Sequence, residues 1–284
     1  DITIAGWGVT TQLFLQQKNH RFRNINQEAG ISLPLDGNGA FWADVNKDYF
    51  LDLFITDEHH SNRLWLGDGR GNFKEVSKKW GLEDRSVSQG AAFGDLDGDS
   101  YPDLYICNWF TPDILYRNVA GKGFRRMNLP LRHLSDSLNS NGVSLGDIDN
   151  DGDLDLLVTD RDGRSALYRN DCIPTDTLWH FSEITLFSGL HLSYPSYGSV
   201  IADFNNDGYQ DIWVSAIGPN ILFLNQGNSS FQKVFEEVCP PQSHLKYYST
   251  GAACADFDLD GDLDLFVANK DTNSVLYINT CNDS

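Results

Sequence analysis

One nine-residue acidic pattern occurs five times in this chain, and any fold must accommodate it at that spacing. The copy from Asp147 to Asp155 reads DIDNDGDLD, with carboxylates at its first, third, fifth and ninth positions (Asp147, Asp149, Asp151, Asp155). The same register holds Asp44, Asn46, Asp48 and Asp52; Asp95, Asp97, Asp99 and Asp103; Asp203, Asn205, Asp207 and Asp211; and Asp256, Asp258, Asp260 and Asp264. These are hard oxygen donors in a tight turn, the donor type and spacing that suit Ca2+, and a carbonyl or water would complete its six to eight ligands. Gly152 at the sixth position permits the positive φ that a ligand-wrapping turn demands. First residues of successive copies lie 51, 52, 56 and 53 positions apart, a period that marks a repeat architecture.

An EF-hand opens with the same signature but closes with a glutamate at position twelve and runs on into a helix. Here position twelve is Ile55, Ile106, Val158, Val214 and Val267, each inside a short apolar run: LFIT, LYIC, LLVT, IWVS, LFVA. Such runs read as buried strands. Each full unit carries four strand signals. They are a small-residue strand before the loop, the apolar strand after it, a third strand (RLWL, ILYRN, ALYRN, ILFLN, VLYIN) and a fourth with a recurring phenylalanine (Phe22, Phe73, Phe124, Phe181, Phe231). The pattern predicts an all-β chain, a β-propeller of four-stranded blades with the acidic loops between strands one and two. Small residues such as Gly90, Ala91, Ala92, Gly251, Ala252 and Ala253 suit the crowded inner strand.

DITIAGWGVTTQLFL aligns with DLFITDEHHSNRLWL when Asp1 is set on Asp52, so the chain is expected to enter at a ninth position. The last unit stops after its third strand. We therefore expect one domain over residues 1–284, with four complete blades and a partial blade at each end, as part of a larger protein. No apolar run reaches the length of a membrane span.

The formal charge of −19 is concentrated in the loops, which hold eighteen of the 40 acids at their four key positions. Five calcium ions would leave about −9, an ordinary value for solubility. With 21 Lys and Arg and no basic cluster, nucleic acid and anionic membrane are poor partners. Among the five cysteines, Cys107 and Cys254 fall in strand runs as small apolar residues, whereas Cys172, Cys239 and Cys281 fall in loops and leave open one disulfide in an oxidising compartment.

The GA-x-x-x-D-x-D-x-D-G-x-x-DL unit followed by LYRN resembles the FG-GAP or VCBS repeat of integrin α-chain propellers. FRNINQEAGI, FKEVSKKWGL and FSEITLFSGL give it a further likeness to the cartilage acidic protein family and its bacterial relatives. The resemblance implies a propeller with calcium on one face and partner-binding loops on the opposite face, outside the cell or in the periplasm. The first copy departs from the pattern, with Lys47 inside the loop and Tyr49 in place of glycine, and the second has Ser100 at the sixth position. Metal is expected at the last four copies and is left open at the first.

Partner loops are expected at Thr56–Arg63, Asn108–Asp113, Asp160–Ser165 and Cys239–Ser249. Trp109, Phe110, Tyr247 and Tyr248 would serve either as contact groups or as packing against neighbouring blades. Asn228 and Asn282 fit glycosylation sequons. His59 and His60 lack a third metal ligand, and H-E-x-x-H, G-x-S-x-G and P-loop motifs are absent. The leading expectation is a non-catalytic module that binds a protein, matrix or glycan partner. A carbohydrate-binding propeller, or a calcium-dependent lyase or phosphoesterase, stand as rivals.

Overall fold

A computed structural model describes residues 2–6, 10–31, 37–172, 179–192, 194–234 and 247–281. Cys239 and Asn282 lie outside them. The chain packs as two compact units, Asp1–Leu138 and Asn139–Ser284. Apart from one single-turn helix, α1 (Arg132–Ser135), the described elements are β-strands in antiparallel sheets.

In the first unit, β1 (Ile2–Ile4), β2 (Gln12–Gln16) and β3 (Phe22–Asn24) form a three-stranded sheet. Two four-stranded sheets follow. They are β4 (Gly37–Ala43), β5 (Asp52–Asp57), β6 (Arg63–Gly67) and β7 (Phe73–Glu75), then β8 (Val87–Gly94), β9 (Asp103–Trp109), β10 (Ile114–Asn118) and β11 (Phe124–Met127). The second unit opens with β12 (Ser140–Gly146), β13 (Asp155–Asp160), β14 (Ala166–Asn170) and β15 (Phe181–Glu183). Its next sheet holds β16 (Ser196–Ala202), β17 (Asp211–Gly218), β18 (Ile221–Asn225) and β19 (Phe231–Lys233), followed by β20 (Tyr247–Ala255), β21 (Asp264–Lys270) and β22 (Val275–Tyr277). These last two sheets are joined where Ile217 and Gly218 pair with Tyr248 and Tyr247, a link that sequence patterning did not anticipate.

Every fourth strand begins on the recurring phenylalanine, and every acidic loop is followed by a strand, as expected. The second strands β5, β9, β13 and β17 are apolar at their centres and almost wholly buried, both of their faces being covered, whereas Phe266 of β21 is exposed. Leu53 and Ile55 pack with Leu13, Ile25 and Ile31 of the sheet before, whereas Phe54 packs with Leu104, Ile106 and Phe124 of the sheet after. In the second unit Leu157 meets Ile212, Val214 and Phe223, and Trp213 meets Leu265 and Val267. Sheets therefore stack face to face within each unit.

The first strands pack edge on, through polar groups. Asn38 Nδ2 donates to the Ser88 carbonyl at 2.8 Å, Asn141 Nδ2 to that of Ser196 at 2.9 Å and Ser144 Oγ to that of Ser199 at 2.9 Å. A Cβ on Gly142 would lie 2.8 Å from the Tyr197 carbonyl, and one on Gly198 would lie 3.1 Å from the Cα of Gly251. Small residues are required there by the approach of backbones. A register shift recurs at the same place in all five first–second strand pairs, for example between Ser140 and Gly142. Such a bulge bends and twists the strand.

Fourth strands are tied to the turn of the preceding repeat. The backbone N–H groups of Phe73, Phe124 and Phe231 donate to the carbonyls of Ala29, Trp80 and Ser188, each the residue before a glycine with positive φ. Gly81 shows why glycine is needed, since a Cβ there would come within 2.8 Å of the Phe124 carbonyl.

Candidate metal centres

All five loops have one conformation. The first strand ends one residue before the first Asp and the second strand starts on the ninth. In the third loop Asp147 accepts the N–H of Asp151 at 3.1 Å and of Gly152 at 3.0 Å, and Asp151 accepts that of Asp153 at 3.1 Å. Corresponding bonds close the first, fourth and fifth loops around Asp44, Asp203 and Asp256. The fourth and sixth residues are left-handed in every copy: Lys47 and Tyr49, Gly98 and Ser100, Asn150 and Gly152, Asn206 and Gly208, Leu259 and Gly261. Non-glycine residues held there cost about 1–2 kcal/mol each. The demand at the fourth position was not read from sequence, because three residue types other than glycine occupy it.

In the second and fifth loops the first, third and fifth carboxylates converge, in the third loop the first, third and ninth do, and among the described residues the first and fourth loops show no such three-carboxylate set. Oxygens of Asp95, Asp97 and Asp99 lie within 4.8 Å of one another, as do those of Asp256, Asp258 and Asp260, and those of Asp147, Asp149 and Asp155. The first and fourth loops carry Asn46 and Asn205 at the third position, whose amides donate to Asp48 at 2.9 Å and Asp207 at 3.0 Å. Asp95 Oδ1 and Asp149 Oδ1 are buried and accept no hydrogen bond. A buried carboxylate oxygen without a donor is costly, and a hard cation would relieve it. These oxygen-only donor sets fit calcium.

The ninth-position aspartates have a second role. Asp52, Asp103, Asp155, Asp211 and Asp264 are fully or almost fully buried. One oxygen of each accepts the N–H of the loop's second residue, for instance Leu96 at 2.9 Å, and the other accepts the N–H at the end of the third strand, for instance Asn118 at 2.8 Å. The pairs Val45 and Gly67, Ile148 and Asn170, Phe204 and Asn225, and Phe257 and Asn279 repeat the arrangement. Burial outweighs these bonds and raises the carboxyls from 3.8 to about 6 in Asp52 and Asp211, about 7 in Asp155 and about 8 in Asp103. Asp153, at the seventh position, rises to about 7 through burial and then the charge of Asp151.

The asparagine ending the third strand reaches the loop of the preceding repeat. Asn118 Nδ2 donates to the Val45 carbonyl at 2.9 Å, Asn225 to that of Ile148 at 2.8 Å and Asn279 to that of Phe204 at 2.7 Å. Neighbouring loops also touch directly, with Asn150 donating to the Gly208 carbonyl, Asn206 to Asp262 and Lys47 lying over the Tyr101 ring.

The partner loops are uneven. Phe110 is well exposed, while Trp109 is half-buried edge-on against it at 6.2 Å. Tyr248 stacks beside Tyr197 at 5.2 Å, with Lys270 over its ring. The side chain of Tyr247, and most of the loop before it, lie outside the described residues. His60 Nδ1 lies 3.2 Å from the buried Asp57 Oδ1, a proximity not foreseen from sequence. Asp160 has the corresponding place in the third repeat and accepts the N–H groups of Asp162 and Arg164 just as Asp57 accepts those of His59 and His60. This aspartate organises a turn. Cys172 and Cys281 do not pair with each other, Cys107 is buried, and Asn228 is exposed, its side-chain oxygen bonded within its own turn to Ser230. No described helix is long and apolar enough to cross a membrane.

A family model of the FG-GAP-like repeat matches residues 44–106, 147–214 and 203–267. Cartilage acidic protein 1 of Mus musculus is 25% identical over 229 residues, 77% of this chain, and that of Xenopus tropicalis is 25% identical over 269 residues, 88% of it. The chain spans 35% and 40% of the length of these relatives. Among solved structures, a lectin from Agrocybe aegerita, described as specifically recognising non-reducing terminal N-acetylglucosamine, superposes with a TM-score of 0.56 at 14% identity, covering 99% of this chain and 78% of that one. At that identity the likeness concerns fold.

Proposed function

Because the chain belongs to the FG-GAP-like repeat family, we propose that it is a calcium-stabilised β-propeller, secreted or carried on an ectodomain, that binds a protein or matrix partner and catalyses no reaction. The observation that carries this reading is the buried, undonated oxygen of Asp95 and of Asp149 in loops that are otherwise closed by their own hydrogen bonds. Calcium held by the first, third and fifth residues would supply the positive charge those oxygens lack. Each loop sits at the junction of a strand pair, and the first, third and fourth are bonded to the next repeat, so an ion there would hold sheets together. A ligand that binds only the folded state raises stability by mass action.

The test is thermal unfolding of the chain in millimolar calcium and after removal of calcium by chelator. The midpoint should fall markedly in chelator and recover when calcium is restored. An unchanged midpoint would overturn the reading.

Glycan binding is the second reading, favoured by the exposed Phe110 ring beside Trp109. Flat apolar faces of this kind can stack on sugar rings. Retention on a glycan array that disappears in Trp109→Ala would select it over a protein partner. The catalytic rival rests on His60, whose Asp57 partner has a turn-forming counterpart in Asp160. A hydrolytic or lyase activity abolished by His60→Ala, with folding unchanged, would revive it.

A further inference from the structure

The third strands of two repeats carry an arginine at the position where other repeats have Leu66, Leu224 or Ile278. The two arginines behave differently. Arg117 turns into the acidic loop of its own repeat, with Nε 2.6 Å from Asp97 Oδ2 and a terminal nitrogen 3.4 Å from Asp99 Oδ2. Arg169 turns away, with Nε 2.7 Å from Asp171 Oδ1, whose other oxygen accepts Ser182 Oγ at 2.5 Å. Asp149, the counterpart of Asp97, forms no ion pair with Arg169, and its buried Oδ1 accepts no hydrogen bond.

Local sequence accounts for the difference. Two residues beyond Arg117 stands Val119, whose side chain cannot accept a hydrogen bond, where the third repeat has Asp171. Directly across the strand pair Arg117 faces Arg125, whereas Arg169 faces Ser182. Like charges opposite one another on a sheet repel. Arg117 is thus denied an acceptor on its own strand and opposed by a cation on the next, and the loop carboxylates are its nearest anions.

We propose that Arg117 is an internal counter-ion of the second loop that competes with calcium, so that this loop fills at higher calcium than the third, whose arginine is held aside by Asp171 and Ser182. The inference rests on the calcium reading of the loops. To use Asp97 and Asp99 fully, the ion must displace a guanidinium from a nearly buried carboxylate. An open cleft of about 230 Å3, lined by Asp99, Arg117, Asn118, Val119, Ala120 and Arg125, gives the displaced side chain room. Ligand charge tunes calcium loops over decades of affinity, and we expect a difference of about tenfold between the two loops. The chain would then respond to calcium in two stages.

The experiment measures the calcium occupancy of each loop from anomalous diffraction of crystals equilibrated at graded calcium, with calorimetric titration in solution. In the natural chain the third loop should fill first. Arg117→Leu, which installs the residue of two sister repeats, should bring the second loop down by about tenfold in calcium and leave the third unchanged. Transplanting the third repeat's restraints, V119D with R125S, should do the same while keeping Arg117. Removing them from the third repeat, Asp171→Val, should weaken the third loop. A second loop that fills at the same calcium with and without Arg117, while other loops bind, would overturn the inference and leave the calcium reading standing. Absence of calcium from every loop of every variant would sink both.

Discussion

A ninth-position aspartate such as Asp103 has no contact with solvent, yet its two oxygens accept two backbone N–H groups from different parts of the repeat. Removing it leaves both donors buried and unpaired, at about 1–3 kcal/mol each. Asp103→Ala should therefore lower unfolding free energy by about 2–5 kcal/mol. Asp103→Asn should lose roughly half of that, since its amide nitrogen would face one of the donors. Urea unfolding in calcium-free buffer checks both, and equal losses would show that the paired acceptors are not what the residue supplies. The raised carboxyls also fix the pH response. Between about pH 4 and the folded values of about 6 to 8, the folded chain keeps protons that the unfolded chain has released. Calcium-free stability should consequently be highest at the acid end of this range and fall as pH rises through it. Calcium favours the ionised form, so its affinity should rise over the same interval. Urea midpoints from pH 4.5 to 8, with and without calcium, should diverge as pH increases. The acidic positions were legible because a turn alone requires no ninth Asp, but their division of labour was not. A ligand and a backbone acceptor are the same residue type at the same spacing, and only burial and bond direction separate them. Arg117 was equally hidden, because LYRN in two repeats looks identical until Val119 and Asp171 are set beside it.

At the level of strands, sequence was most informative where one physical demand recurs in every repeat. The apolar second strands, the small first strands and the leading phenylalanine of each fourth strand follow from burial on two faces, backbone approach and attachment to the preceding turn. The pairing of β17 with β20 could not be read in this way, since it uses backbone groups of Ile217 and Gly218 and leaves no mark on side-chain choice. Backbone approach makes a sharp prediction at Gly142. Its φ is not left-handed, so alanine carries no conformational penalty there, and any loss reports the clash of a Cβ 2.8 Å from the Tyr197 carbonyl. Gly142→Ala should cost about 1–3 kcal/mol, the range for overpacking. The same change at Gly152, where nothing lies within 4 Å of the added carbon, acts instead through its positive φ and should cost about 1–2 kcal/mol. If Gly142→Ala unfolds at the same urea concentration as the natural chain, the first strands are not packed as closely as described.

For the chain as a whole the governing quantity is charge. Twenty carboxylates sit in five loops, and within each compact unit neighbouring loops are close enough to bond, as Asn206 does to Asp262. Without bound cations the net charge is −19 and much of the repulsion is between adjacent loops, over distances comparable with the screening length of about 10 Å at 0.1 M salt. Raising salt to 1 M shortens that length to about 3 Å and should screen the repulsion. Monovalent salt should therefore stabilise the calcium-free chain by about 1 kcal/mol, a shift of about 2–4 °C in the unfolding midpoint. In saturating calcium, five ions would bring the charge to about −9 and place the compensation inside the loops themselves, so the same addition of salt should move the midpoint little. Scanning calorimetry at low and high sodium chloride, in chelator and in calcium, separates the two cases. Equal salt dependence with and without calcium would mean that the loops neither dominate the repulsion nor take up the ion.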